Sequence, residues 1–296
     1  MGHGILPRPP LKAIELEYTK VVLHRQLKPE QKSKAMRQEK IRILLTNDDG
    51  IYAPGLYALY EVFKPDFEVH VVAPVLEMSA VGHAITLSSP LRVQKVDRNG
   101  SFYGYAVSGT PADCVKIAVK ELIKPGPHII VSGINAGRNV GMDILYSGTV
   151  SAATEGAFLG YPAIAVSLDS RVDPDFSLAA RVARTMVKFI LSNGLSDGRA
   201  LNVNIPAISE SEVKGIRFTR QGTARFEERF ERRSDPRGNI YYWLCGETTV
   251  DEYDKESDSA LLREGYITIT PIHYDLTCLK ELGRLSTLGP PQLHPK

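Results

Sequence analysis

The stretch IRILLTNDDGIYAPGL, residues 41–56, decides the fold. Ile41, Ile43, Leu44 and Leu45 make a short apolar run, which suits a strand buried on both faces of a parallel sheet. Thr46, Asn47, Asp48, Asp49 and Gly50 follow at its carboxyl end, the end at which open α/β sheets bind ligands. Adjacent carboxylates repel each other, and a divalent cation offsets that repulsion. Gly50 lets the chain turn so that both carboxylates converge. Pro54 suits the first turn of a helix with Leu56, Leu59, Tyr60 and Phe63 on one face. A plain Asx-rich turn accounts for the same residues without a ligand, so local chemistry leaves both readings open.

Working outward, strands and helices alternate. Residues 67–73 (FEVHVVA) read as a second strand, and strand–helix–strand implies a right-handed crossover and a parallel sheet. Residues 74–84 (PVLEMSAVGHA) follow as a loop without hydrophobic period, and such loops carry function disproportionately. Residues 85–87, 91–96 and 102–107 read as a small ribbon. Thr110-Pro111 caps and starts a helix, with Cys114 on its apolar face. Residues 128–131 (HIIV) form the next buried strand, which empties into the Gly- and Asn-rich residues 132–141. Ser147, Gly148 and Thr149 precede a helix over 150–159. Such an N-terminus binds anions through free N–H groups, or is simply capped by a hydroxyl; the sequence weighs these equally. Residues 163–168 and 201–205 are further strands, and Asp175 caps a long amphipathic helix that ends at Gly194.

After residue 214 the texture changes. Residues 215–221 and 240–244 are strand-like and flank the charged FEERFERRSDPRGN. This reads as a hairpin leaving the main body, of a kind that packs on another subunit. Residues 267–272 (ITITPI) return to the sheet, and 276–282 suit a short helix. The expected division is an extension over 1–40, a catalytic domain over 41–275 with a projecting hairpin at 215–250, and a tail over 276–296.

Of the 296 residues, 43% are hydrophobic and 24% charged, ordinary globular composition. The net charge of +2 is uneven: residues 1–40 hold nine Lys or Arg and four Asp or Glu. The remainder is slightly acidic, so the basic balance gives no ground for nucleic-acid binding. The extension lacks a secretory apolar core, and Met36 is a plausible alternative start. No apolar run reaches membrane-span length. Cys114, Cys245 and Cys278 are odd in number and far apart, which fits a reducing, cytoplasmic setting and excludes a thiolate metal cluster.

Three loops after strands thus offer oxygen ligands: Asp48 and Asp49, Ser79, and Asn135. Oxygen donors with two carboxylates suit Mg²⁺, Mn²⁺ or Ca²⁺, although spacing alone does not bring the loops together. The sequence resembles the SurE family of metal-dependent nucleotide phosphohydrolases. The resemblance rests on TNDDGIYAPGL (46–56), VVAP (71–74), SAVGHAITL (79–87), SGTPADCVK (108–116), VSGINAGRNVG (131–141), LYSGTVSAATEGA (145–157), GIRFTRQ (215–221) and EGYITITPI (264–272), in family order.

It implies a Rossmann-like three-layer α/β sandwich whose C-terminal hairpin is exchanged between subunits in a homodimer or homotetramer. It implies one divalent cation per subunit on Asp48, Asp49, Ser79 and Asn135. Nucleoside monophosphates are the implied substrates, hydrolysed as by a 5'-nucleotidase, with 3'-nucleotidase and short-polyphosphate hydrolysis as further activities. Asp48, Asp49 and Asn47 are then the catalytic candidates. Asn47, Gly82, His83, Asn139, Ser147, Gly148 and Thr149 are the substrate-binding candidates. His83 is a candidate proton donor to the leaving alkoxide or an ordinary surface histidine, and Arg138 a phosphate contact or a solvated charge. The alternative is a non-catalytic nucleotide-binding regulator. An aspartyl-nucleophile phosphatase of the haloacid-dehalogenase type is disfavoured, because its carboxylates lie two apart. A dinucleotide binder is disfavoured by the missing G-x-G-x-x-G.

Overall fold

The computed structural model describes residues 40–249 and 254–290. Most of the expected N-terminal extension, including Met36, lies outside the described residues, as do the last six residues of the tail.

The apolar run becomes β1 (Arg42–Thr46), fully buried. Ile43 and Leu45 face one core and Leu44 the other, the alternation a strand covered on both sides requires. From β1 the chain enters α1 (Pro54–Phe63) and then β2 (Glu68–Pro74). An antiparallel pair follows, β3 (Val93–Arg98) and β4 (Ser101–Val107). Asn99 and Gly100, at φ 53° and 75°, make its two-residue turn. Residues 85–87, expected in this ribbon, are not strand; the N–H of Thr86 among them is held by the Asp113 carboxylate instead.

The remaining body comprises α2 (Pro111–Ile117), β5 (Ile129–Ala136), α3 (Gly148–Phe158), β6 (Ala163–Leu168), α4 (Ser177–Asn193) and β7 (Arg199–Ile205). Thr110 caps α2 in a reciprocal box with Asp113. Phe176 occupies the cap position of α4, and Asp175 still accepts from the Ser177 N–H at 2.9 Å.

After β7 come β8 (Ile216–Phe218), β9 (Phe226–Ser234), β10 (Ile240–Thr248), α5 (Asp258–Arg263), β11 (Ile267–His273) and α6 (Leu279–Leu288). The main sheet runs β3-β4-β2-β1-β5-β6-β7-β11-β8. Neighbours from β4 to β7 are parallel. Residues of α1 and α4 build the core on one face, and those of α2 and α3 the core on the other. The result is a three-layer α/β sandwich. Its α3 side is lined with small residues, Ala152, Ala153, Ala157, Ala163, Ala165 and Ala200.

Among the described residues, β9 and β10 pair only with each other. Residues 215–221, expected as one arm of the hairpin, instead place β8 against β11 in the main sheet. The true arm is FEERFERRS, which carries charge on both faces and therefore lacks the alternation that marks a strand. The short tail helix lies at 279–288 rather than 276–282. No helix among the described residues is long and apolar enough to cross a membrane.

Candidate active site

The chain leaves β1 toward β2 on one side, whereas β5 joins β1 on the other. The crevice between the carboxyl ends of β1 and β5 is therefore the switch point at which such sheets bind ligands. Thr46 pairs with Ser132 there. Asp48 and Asp49 lie just beyond β1, and Asn135 lies near the end of β5.

Asp48 is buried against the N-terminus of α3. The Thr149 hydroxyl donates to its Oδ1, and the backbone N–H groups of Gly148 and Thr149 also point at the carboxylate. A Cβ on Gly148 would lie 2.6 Å from the Asp48 Cβ. Only glycine lets the helix end approach this closely. Burial raises the Asp48 carboxyl above its ordinary value, and these hydrogen bonds partly offset that rise. Asp49 is more open, yet burial, then Asp48, then Glu77 push it up to about 7. Gly50, at φ 98°, makes the expected turn.

The Ser79 loop is fastened beside this pair. Its Met78 N–H donates to the Asp48 carbonyl at 2.7 Å, and its Gly82 N–H to the Tyr146 carbonyl at 2.9 Å. The Ser79 hydroxyl donates to Glu77 at 2.5 Å. Asn135 Nδ2 donates to the Gly137 carbonyl at 2.7 Å, which leaves its Oδ1 as an acceptor. Asn47 Nδ2 donates to the Gly50 carbonyl at 2.9 Å, while its Oδ1 is buried without a partner. Thr46 Oγ1 and Ser132 Oγ are likewise buried and unpartnered among the described residues. Crowded carboxylates with orphaned oxygen acceptors are a donor set that fits a hard divalent cation.

Other expected contacts are already engaged. The Ser147 hydroxyl caps α3 by accepting from the Val150 N–H at 3.1 Å. Asn139 is buried and tied to the sheet: its Nδ2 donates to Ser167 at 2.8 Å, and its carbonyl accepts from Asn202 and Asn204. Arg138 lies 3.3 Å from Asp169.

His83 Nε2 is 2.8 Å from Glu155, whose other oxygen meets Lys116 at 2.6 Å. His83 Nδ1 faces the Thr154 hydroxyl at 3.4 Å. With both ring nitrogens so placed, His83 fastens the loop to α3. Burial pushes the Glu155 carboxyl up, but the bonds from His83 and Lys116 outweigh it and hold the group below its ordinary value.

The sequence reading missed Glu77, Lys116, Glu155 and Asp258. Asp258 is fully buried and accepts from the Gly141 and Gly222 N–H groups, each at 3.0 Å, which ties the C-terminal segment to the loop after β5. Glu155 was findable only as a carboxylate on the small-residue face of its helix. Partners 39 and 72 residues away leave no local signal.

Comparison with known proteins agrees with this architecture. Residues 43–228 match the model of the family described as survival protein SurE. A 5'-nucleotidase SurE of Syntrophus aciditrophicus is 53% identical over 249 residues, covering 84% of this chain and 94% of that protein. A second, from Syntrophobacter fumaroxidans, is 51% identical and is covered to 98% of its length. The crystal structure of the SurE protein from Aquifex aeolicus superposes with a TM-score of 0.73 at 40% identity, covering 83% of this chain and 99% of that one. The chain belongs to the survival protein SurE family.

Proposed function

We infer that the protein is a divalent-metal-dependent 5'-nucleotidase, a phosphoric monoester hydrolase acting on nucleoside monophosphates. One observation carries the reading: two crowded carboxylates at the sheet's switch point, one held on the N-terminus of α3, amid orphaned oxygen acceptors. The names of relatives about half identical to this chain over most of its length support it.

Asp48, Asp49, Ser79 and Asn135 would hold the cation, with Mg²⁺ or Mn²⁺ the fitting ions. Bound there, a divalent cation supplies Lewis acidity toward a phosphoryl oxygen and lowers the pKa of a water. The protein's own share is positioning and charge stabilisation, which phosphoryl transfer chiefly needs. Asp48 is immobilised by Thr149 and the α3 N–H groups and serves as a fixed ligand. Asp49, free of the helix, is the group that accepts the proton of the attacking water. The Ser147–Thr149 segment orients the phosphate beside Asp48, and Gly82 and His83 close the far side through their loop. Asn139 shapes the pocket by holding the loop after β5 on β7. Asn47 presents an acceptor inward.

The exposed aromatic residues of β10, with Trp243 57% exposed, support a homodimer or homotetramer in which the ribbon is exchanged. Cys114, Cys245 and Cys278 are all free, which supports a cytoplasmic setting. Phosphate release from a panel of nucleoside monophosphates, with and without Mg²⁺ or Mn²⁺, tests the reading. Metal-dependent release is expected; binding without release under any metal favours the regulatory alternative.

A further inference from the structure

At the opposite edge of the sheet, where β4 begins and α1 ends, lies a cavity of about 190 Å³. Its wall contains Tyr57, Tyr60, Arg98, Asn99 and Tyr103. Arg98 is the last residue of β3, and it pairs with Ser101 across the tight turn, so its backbone is fixed. Its guanidinium lies 3.7 Å from the centre of the Tyr57 ring. A guanidinium stacked in this way keeps its N–H fork free at the edge.

Two donors on residues of this wall have no acceptor among the described residues. Arg98 Nη1 is buried and unpartnered, and so is the hydroxyl of Tyr103, a residue only 4% exposed. Burial holds the Tyr103 phenol well above its ordinary value, so it remains a donor. Buried donors without acceptors are costly, and native structures satisfy them with water, an ion or a ligand.

Glu61, the acidic side chain in the wall, is occupied by Lys64 at 2.6 Å and by the Tyr57 hydroxyl. Lys64 and Arg98 against Glu61 leave one net positive charge. That balance of charge favours an acceptor carrying negative charge.

We propose that this cavity is a second ligand site, for a small oxyanion of the phosphate type, held by the Arg98 fork and the Tyr103 hydroxyl and remote from the catalytic edge. The Asn99 amide and the Lys64 ammonium border the same space and favour the same sign of charge. The site needs neither the metal ligands nor the α3 N-terminus, so it stands or falls apart from the nucleotidase reading.

The test is isothermal titration of the full-length protein with inorganic phosphate, comparing wild type with Tyr103→Phe and Arg98→Met. Phosphate entering the catalytic site gives a component common to all three. A second component is expected in wild type, weakened about 10-fold by Tyr103→Phe, the effect of losing one hydrogen bond to a charged group, and abolished by Arg98→Met. Without phosphate, Tyr103→Phe melts no lower than wild type, because it removes an unsatisfied hydroxyl. Turnover of nucleoside monophosphates is unchanged in both variants. Identical isotherms in all three proteins overturn the proposal. So does saturation only at precipitant concentrations, an adventitious ion only. A phosphate-soaked crystal in which Glu61 has turned to pair with Arg98 overturns it as well. Tyr103→Phe keeps the test decisive if Arg98→Met fails to fold.

Discussion

At the carboxyl edge of β1 and β5, side chains far apart in sequence are locked together within one chain. Asp48 meets Thr149, His83 meets Glu155, and Asn139 meets Asn202 and Asn204. Along β9 and β10 the opposite holds. Phe230, Tyr242, Trp243 and Leu244 are each more than half exposed, and among the described residues the two strands pair only with each other. An isolated two-stranded ribbon is marginal in water. On the proposed reading, the first region is the one that takes a small ion and a substrate. On the same reading, the second is the one that takes a protein surface. If both proposals hold, mutations should separate local chemistry from assembly.

The largest effect is expected at the site. Asp49→Asn should lower turnover by about 10²- to 10⁴-fold, the scale of removing a positioned general base. Its melting temperature should not fall, because the substitution relieves a crowded carboxylate. A loss of stability comparable with a core truncation would show that Asp49 is structural. Next comes the ribbon. Trp243→Glu should weaken assembly by about 30-fold, or ~2 kcal/mol for a central aromatic anchor. Sedimentation at several concentrations reads this, and an unaltered assembly would remove the ribbon from the interface.

A smaller change is expected from Glu155→Gln, which removes the carboxylate between His83 and Lys116. The cost should be about 1.5 kcal/mol, the lower end for hydrogen bonds to charged groups. Thermal melts measure it, with KM rising more than kcat falls as the Ser79 loop loosens.

A further effect is a pH dependence of the metal-free protein. Asp49 has a carboxyl raised to about 7, so the folded state binds its proton more tightly than the unfolded chain. That stabilisation is complete below the ordinary value of 3.8 and is lost as pH rises through about 7. Metal-free protein should therefore melt lower at pH 8 than at pH 5.5. Added Mg²⁺ or Mn²⁺ should stabilise it more at pH 8, and equal stabilisation at both values would break the link between these carboxylates and the cation.

Much of the body was legible in the sequence because its signals are local. The apolar run at 41–45, Thr110-Pro111 ahead of α2, and the small and hydroxyl residues ahead of α3 each announce their element within a few residues. β9 was not legible, since FEERFERRS has no apolar face and becomes a strand only through its pairing with IYYWLCGET. The site was half legible. The candidates Asp48 and Asp49 declare themselves by adjacency, whereas Asn135, expected in the loop after a buried strand, lies within the end of β5. That Gly148 and Thr149 grip Asp48 itself depends on a contact across 101 residues, which no periodicity encodes. The pairing of Arg98 with a tyrosine cluster on α1 and β4 is equally nonlocal.

The alanines between α3 and the sheet carry a consequence for variants that never touch the crevice. A methyl-sized contact layer lets the helix lie low, and Gly156, where a Cβ would come within 2.7 Å of Ile130, lowers it further. A bulkier side chain at Ala153 or Ala165 would act as a shim: it lifts the rod, draws Gly148 off Asp48, and detunes the chemistry from a distance. Screens that score such substitutions only by melting behaviour will file them as mild packing defects, whereas an assay of turnover will rank them among the severe ones.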